Sequence, residues 1–433
     1  MTPLPFEGFW SVARRFLGRP LGNVWTIARL LARRARGKAD GRGRSNGRGR
    51  ALLCLGAMLV AFLLVEVAGR ILFPGLRLNL GGTFHRSLGW TQSPGGRWSM
   101  EIEGEAVRNE FNLHGFRDVE HEIAKPAGVR RLVVLGDSFT EALQVNLGDT
   151  YAKLLEKKLN EGGEERWETI VLAVADWGTA QEWIALEEYG FAYGPDVVLC
   201  QVFPMNDVCN NSVGLCDLCE SDNDRLRPYF VERDGRLVLT SAHPRRTFLR
   251  RNLLSYGLIE WGLWKLWGPP VTDHEWRMER LGALGHRRLD PLINAFSREE
   301  DQIRPVAEGW RITERILEEM ARSCRTRGVA LCALVLPHDQ HVGKGGEDLD
   351  ASLRGATRWK DGDAVALPDV DYPERRLEAF FRRAGIPLAR MKPVFDRHAE
   401  EVLPSRSGHL NSAGHRLTAE ALFALFRDAG IAR

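Results

Sequence analysis

From residue 130 to the C-terminus, short apolar runs alternate with longer segments of helical periodicity, and this alternation limits the fold more than any other feature of the chain. The runs RRLVVLGDS, WETIVLAVADWG, PDVVLCQVFPMND and VALCALVLP are aliphatic and β-branched and too short for independent helices, so they read as buried strands. Between and after them, DTYAKLLEKKLNEGG sets Tyr151, Leu154, Leu155 and Leu159 on one helical face, with Asp149 as the expected N-cap. TAQEWIALEEYGFAYG, EGWRITERILEEMARSCRTRG, YPERRLEAFFRRAG and SAGHRLTAEALFALFRDAG read as four further helices. Strands apolar on both faces and joined by helices require a parallel sheet covered on each side, an α/β architecture.

The domain so defined spans residues 129–433, with an insertion at about 208–304. Inside the insertion, RPYFVERDGRLVLT turns at Asp234-Gly235, a hairpin signal. Trp261, Trp264 and Trp267 then recur every three residues. They read as core packing, with a substrate-lining lid and a membrane-facing surface as alternatives. Residues 74–128 read as an N-terminal extension rich in Gly, Asn and Arg. It contains the strand-like RWSMEIEG and the stretch NEFNLHGFRDVEHEI, in which Arg117 is expected to be a buried structural cation.

Charge separates the N-terminus from the rest. The net charge of +3 hides twelve Lys/Arg against Glu7 and Asp40 in residues 1–50. Residues 51–65 carry no charge, and apolar character continues to Phe73. At ~1.5 Å per residue, residues 51–73 are long enough for a ~30 Å hydrocarbon core. The expectation is an uncleaved signal anchor, because a basic segment of this length exceeds the n-region of a cleaved signal peptide. The excess of cations before the span puts the basic tail, 1–50, in the cytoplasm and the body outside. GRGRSNGRGR is read as setting topology and touching anionic lipid, so no nucleic-acid partner is expected. Leu21 to Ala35 is a candidate amphipathic helix on the inner surface.

Cys209, Cys216 and Cys219 crowd into NDVCNNSVGLCDLCESDND. In an oxidising compartment a disulfide within this trio is expected, with a metal site or free thiols as alternatives. No phosphate-binding loop, dinucleotide fingerprint or metal-ligand cluster is present elsewhere, and His338 and His341 read as loop surface. No cofactor and no metal is expected.

Three strand-end or helix-start positions carry possible chemistry. Ser138 follows Gly136 and Asp137 at the end of the first strand, and a hydroxyl there is a candidate nucleophile. Asn206, with Asp207, ends the third strand and offers a side-chain amide to a developing oxyanion. His409 and His415, in HLNSAGH before the last helix, are candidate bases. Backbone N–H groups of Ser138 and of Gly178 are the expected remaining oxyanion donors, and Asp137, Asp207 and Ser407 are possible supports. Thr140 stands where the G-x-S-x-G elbow of α/β-hydrolases has its last glycine, so that route to an esterase is disfavoured.

The phrases GDSFTEA, PMND and HLNSAGH, with NLHGFRD upstream, resemble the SGNH (GDSL-type) hydrolases, in their membrane-anchored bacterial branch. The likeness covers roughly residues 105–430, excluding much of the insertion. It implies a flavodoxin-like three-layer α/β/α sandwich with a parallel sheet, preceded by one transmembrane helix at the bacterial inner membrane, with the catalytic domain periplasmic or otherwise extracytoplasmic. By the same likeness Ser138 is the nucleophile, His409 the general base, and Gly178 and Asn206 oxyanion donors. The implied activity is removal of acyl, chiefly acetyl, groups from an envelope or exported glycan or related ester. Two alternatives stay open: an O-acyltransferase working with a membrane acyl-transfer partner protein, and a catalytically impaired binding or scaffold protein. The chain departs from the family where Arg406 and Ser407 occupy positions usually held by the acid that orients the histidine, for which Ser407, a backbone carbonyl or Asp396 are candidate substitutes. It departs again at AVADWG and at Met205.

Overall fold

The expected alternation folds into one five-stranded sheet, all of whose strands run parallel. The computed structural model describes residues 47–72, 83–102, 104–161, 165–215, 227–241, 253, 304–337, 342–343, 369, 371–402 and 408–432. Its chain divides into two compact units, residues 1–68 and 69–433.

Helix α1, Gly47–Leu72, is 26 residues long. Leu55, Leu59, Leu63 and Leu64 are each more than half exposed. The side chains of residues 47–53, 58, 61 and 69–72 lie outside the described set. Among the described residues no helix is long and apolar enough to cross a membrane.

In the larger unit, two antiparallel hairpins come first: β1 (Thr83–His85) with β2 (Gly89–Thr91), and β3 (Arg97–Ile102) with β4 (Glu105–Glu110). The sheet strands are β5 (Val129–Gly136), β6 (Arg166–Ala173), β7 (Val197–Val202), β10 (Ala330–Val335) and β11 (Leu388–Arg390), in the order β11-β10-β7-β5-β6. Numbered by appearance, that order is 5-4-3-1-2, the flavodoxin-like arrangement read from its far edge. The hairpin β8 (Pro228–Arg233) with β9 (Arg236–Ser241) turns at Asp234 and Gly235, both at positive φ, as expected from the sequence.

Side-chain alternation along β5 shows why the sheet needs two covering layers. Leu132 and Val134 enter one apolar cluster, Val133 and Leu135 the other. On the first face lie α3 (Tyr151–Asn160), through Leu155 and Leu159, and α10 (Ser412–Asp428), through Leu422 and Phe426. On the second lie α4 (Thr179–Glu188), α6 (Arg304–Thr326) and α7 (Tyr372–Ala384), through Leu186, Trp310 and Phe381. The result is the three-layer sandwich that a parallel sheet with helical crossovers produces.

Several expectations are corrected. The N-cap of α3 is Thr150, whose hydroxyl accepts the Lys153 N–H; Asp149 ends a preceding single turn instead. Cys209 is a free, buried thiol and not half of a disulfide, because α5 (Pro204–Asn210) turns it into the apolar cluster around Trp310. β11, α8 (Lys392–Arg397) and α9 (Ala399–Val402) are too short to leave a periodic signal. Residues 1–46 of the basic tail, the three insertion tryptophans, Cys216, Cys219, His338, His341, Arg406 and Ser407 lie outside the described residues.

The end of β5 is packed too closely for any side chain. A Cβ on Gly136 would sit 2.0 Å from Thr140 Oγ1 and 2.6 Å from Gln201 Oε1. Gly136→Ala is therefore expected to lower stability by about 1–3 kcal/mol, read as a lower urea midpoint at unchanged slope.

Candidate active site

β5 is followed immediately by α2, Ser138–Glu141, a single helical turn. Asp137 is its N-cap, and Asp137 Oδ1 accepts the Phe139 N–H at 2.9 Å. Ser138 is thus the first residue of a helix at the carboxyl end of a sheet strand. Its N–H has no intrahelical acceptor at that position and is available to a developing negative charge.

β5 lies between β6 and β7, and the chain departs from β5 and β7 to opposite faces of the sheet, making a crevice at their carboxyl ends. α5 leaves β7 there with Pro204 at its start and Asn206 in its first turn. Asn206 Nδ2 donates to Asp137 Oδ2 at 2.8 Å, which fixes which end of the amide faces the carboxylate. An NH₂ group has two hydrogens, so one remains for a ligand.

The third contribution arrives from the other end of the sequence. Asn411 caps α10, its Oδ1 accepting the Gly414 N–H at 2.9 Å, and His409 precedes that cap. Leu410 O accepts from Gln144 Nε2 at 2.9 Å, which fastens this segment to the chain just beyond α2. His409 Nε2 lies 2.9 Å from Ser138 Oγ, and its ring packs on Phe139 at 4.9 Å between centroids. A hydroxyl within hydrogen-bond reach of an imidazole nitrogen is the arrangement that general-base activation needs.

His415 is placed elsewhere. It is wholly buried, its Nδ1 accepts the Tyr151 N–H at 3.2 Å, and it stacks on the Tyr151 ring. Burial holds its imidazole neutral, pulling its pKa down to about 3, with Arg117 and His409 adding to the effect. His415 is a structural acceptor that starts α3.

Of the other expected residues, Asp207 is a frame member: its carboxylate oxygens accept the Thr179 and Phe203 N–H groups, each at 2.7 Å. Gly178 seats α4 against α5. Its N–H is directed at Gln181 Oε1, 3.4 Å away, and a Cβ there would meet Asn210 Cβ at 2.8 Å. Asp396 is committed to Lys392 and to the Gly343 N–H.

Beneath the crevice lies a group of buried acids. Burial raises the Asp137 carboxyl, against the hydrogen bonds from Phe139 and Asn206 and the nearby His409. Glu182, fully buried, is pushed well above the carboxylate range by burial and then by Asp207 and Asp137. Asp207 is pushed up likewise by burial and by Asp137, against its two backbone donors and Arg227, and among the described residues Glu182 accepts from the Cys200 thiol. Gln201 Oε1 ties the group together by accepting from the Asp137 N–H and from Thr140 Oγ1.

Gln201, Gln144 and Asp176 carry no motif that would single them out. Asp176 follows β6 with φ +66°, a left-handed conformation unusual for a non-glycine residue. It is held there by the buried Arg227, which donates to Asp176 O at 2.6 Å and pairs with Asp176 Oδ2 at 3.2 Å. The positive φ is invisible to motif reading, because aspartate is also ordinary turn chemistry.

No family model and no curated protein matches this chain. Solved structures similar to it include LAE5, an α/β hydrolase enzyme from the metagenome of Lake Arreo, Spain, at 16% identity over 70% of this chain and 95% of that one, with a TM-score of 0.34. An acetyl xylan esterase from Geobacillus stearothermophilus, Axe2, aligns at 11% identity over 70% of this chain and 96% of its own, with a TM-score of 0.35. The acetyl xylan esterase AlAXEase aligns at 12% identity over 68% and 98%, with a TM-score of 0.33. At these values the site stands on its own geometry.

The two histidines separate experimentally. His409→Ala is expected to abolish Ser138 reactivity, whereas His415→Gln, whose amide oxygen replaces the acceptor, retains it. Below pH 6.5 the unfolded chain gains a proton at residue 415 that the folded chain refuses until about pH 3. The stability contributed by His415 is therefore fully present above pH 6.5 and lost as the pH falls through that window. Denaturant titrations of His415→Gln should show a shallower acid slope there, by up to about 1.4 kcal/mol per pH unit.

Proposed function

We propose that the protein is a serine ester hydrolase of the SGNH (GDSL-type) kind, removing acyl groups from an envelope or exported glycan or related ester. The observation that carries this reading is the 2.9 Å contact between His409 Nε2 and Ser138 Oγ, made at the end of β5 where Asn206 is tied to the neighbouring Asp137.

The chemistry follows from that contact. His409 Nε2 takes the Ser138 proton as Oγ attacks the acyl carbonyl, and the carbonyl oxygen becomes an oxyanion facing the Ser138 N–H and the second Asn206 amide hydrogen. The imidazolium returns its proton to the departing alcohol oxygen, leaving an acyl group on Ser138. Water, deprotonated by His409, then releases the acid. Asp137 serves this scheme by orienting Asn206, whose Nδ2 donates to its Oδ2 at 2.8 Å.

Residues 51–73 anchor this enzyme to the bacterial inner membrane in our reading, with the body extracytoplasmic. The support is the uncharged run 51–65, the exposed leucines of α1 and the basic segment before them. Deleting residues 51–73 is expected to move the protein from the membrane fraction to the supernatant after alkaline extraction, and an unchanged distribution would remove the anchor from the account.

The full-length chain in detergent should react with a fluorophosphonate and hydrolyse a short-chain aryl acetate. Ser138→Ala should lose labelling, with turnover falling by about 10³-fold or more. An unreactive wild-type chain, or one indistinguishable from Ser138→Ala, sinks the proposal.

A further inference from the structure

Arg117 is buried to 1% exposure in the stretch NLHGFRD, yet among the described residues it forms no salt bridge. Its guanidinium donates to backbone carbonyls instead. Nη1 donates to Glu141 O at 3.0 Å and to Ala142 O, and Nη2 to Val145 O at 2.6 Å and Arg108 O at 3.3 Å. Three of these four carbonyls belong to the last residue of α2 and the chain just after it.

That target is the part of the site least able to hold itself. α2 has four residues, so it gains almost nothing from helix propagation after nucleation. It ends at Ala142 in a left-handed conformation, φ +53°, where terminal carbonyls lack intrahelical partners. A planar cation with a fork of donors satisfies several carbonyls at once and places positive charge at the C-terminal end of the turn. Burial lowers the Arg117 pKa to about 10, with Glu141 opposing, so the charge persists at neutral pH. Glu141 is itself held, Oε1 by Gln92 Nε2 and Oε2 by the Ala175 N–H, both at 2.8 Å.

We infer that Arg117 is a positioning residue of the ester-cleaving site: by gripping the carbonyls at the end of α2 it fixes Ser138 Oγ in register with His409. This rests on the hydrolase reading of Ser138 and His409. The strand-rich segment before the sheet, far from being a passive extension, then supplies the far wall of the nucleophile's mounting.

The test uses the full-length chain with Arg117→Lys and Arg117→Met. Lysine keeps the charge but offers three donors on a flexible stem and no planar fork. Expected for Arg117→Lys is a native circular-dichroism spectrum, a kcat for the aryl acetate about tenfold lower and a KM within about twofold. Arg117→Met should lose on the order of 100-fold, the scale associated with a misplacement of about 1 Å. The rate constant of fluorophosphonate labelling, measured on the folded fraction isolated by size exclusion, should fall in parallel. A purely structural Arg117 would lower the amount of folded, labelled protein but leave the labelling rate constant and kcat per labelled site at wild-type values, which overturns the inference. Should Arg117→Met not fold, Arg117→Lys decides. A wild type that matches unlabelled Ser138→Ala points to failure of the hydrolase reading, whereas a reactive wild type with an equally fast Arg117→Lys points to failure of this one.

Discussion

The strand order places everything else. Because β5 sits between β6 and β7, with the helices that follow β5 and β7 leaving on different faces, the sheet has one crevice at its carboxyl edge. Ser138 and Asn206 are the residues that the chain delivers to its two sides, and His409 is brought over it by the cap of α10. Residues 271 positions apart meet at 2.9 Å because each is fixed to an element packed on the same sheet.

Holding that crevice in shape takes a polar frame built into an apolar core. Asp137 binds one backbone N–H and the Asn206 amide, Asp207 binds two backbone N–H groups, and Gln201 bridges Asp137 to Thr140. Each carboxyl is raised by burial, so the frame is stable only while its hydrogen bonds are made. Arg117 applies the same logic from outside the sheet, exchanging water for four carbonyls. Such satisfied networks rigidify a site at a cost in stability compared with an apolar core of the same volume, and fixed geometry is what a nucleophile and its base require.

Much of this was legible in the sequence because period and position carry it. Continuous aliphatic runs announced β5, β6, β7 and β10, and the amphipathic periodicity of α3, α6 and α10 announced the covering layers. Ser138, Asn206 and His409 stood out through their places at strand ends and a helix start. What stayed hidden depends on long-range packing. Thr150 displaced Asp149 as cap because a single turn intervened, and Cys209 turned inward with α5. His415 and His409 look equivalent six residues apart until one is buried against Tyr151. Gln201 on a buried strand has partners 61 and 64 residues away, and three of the four carbonyls that Arg117 holds lie 24 to 28 residues away; no local pattern encodes that.

In the proposed reaction Ser138 Oγ becomes acylated through His409. Acid-quenched mass spectrometry of the full-length chain after brief exposure to an aryl acetate reads this directly. The expected result is an acetyl adduct confined to the peptide containing Ser138, present in wild type and lost in His409→Ala. An adduct elsewhere, or one on Ser138 that forms equally well without His409, would contradict it.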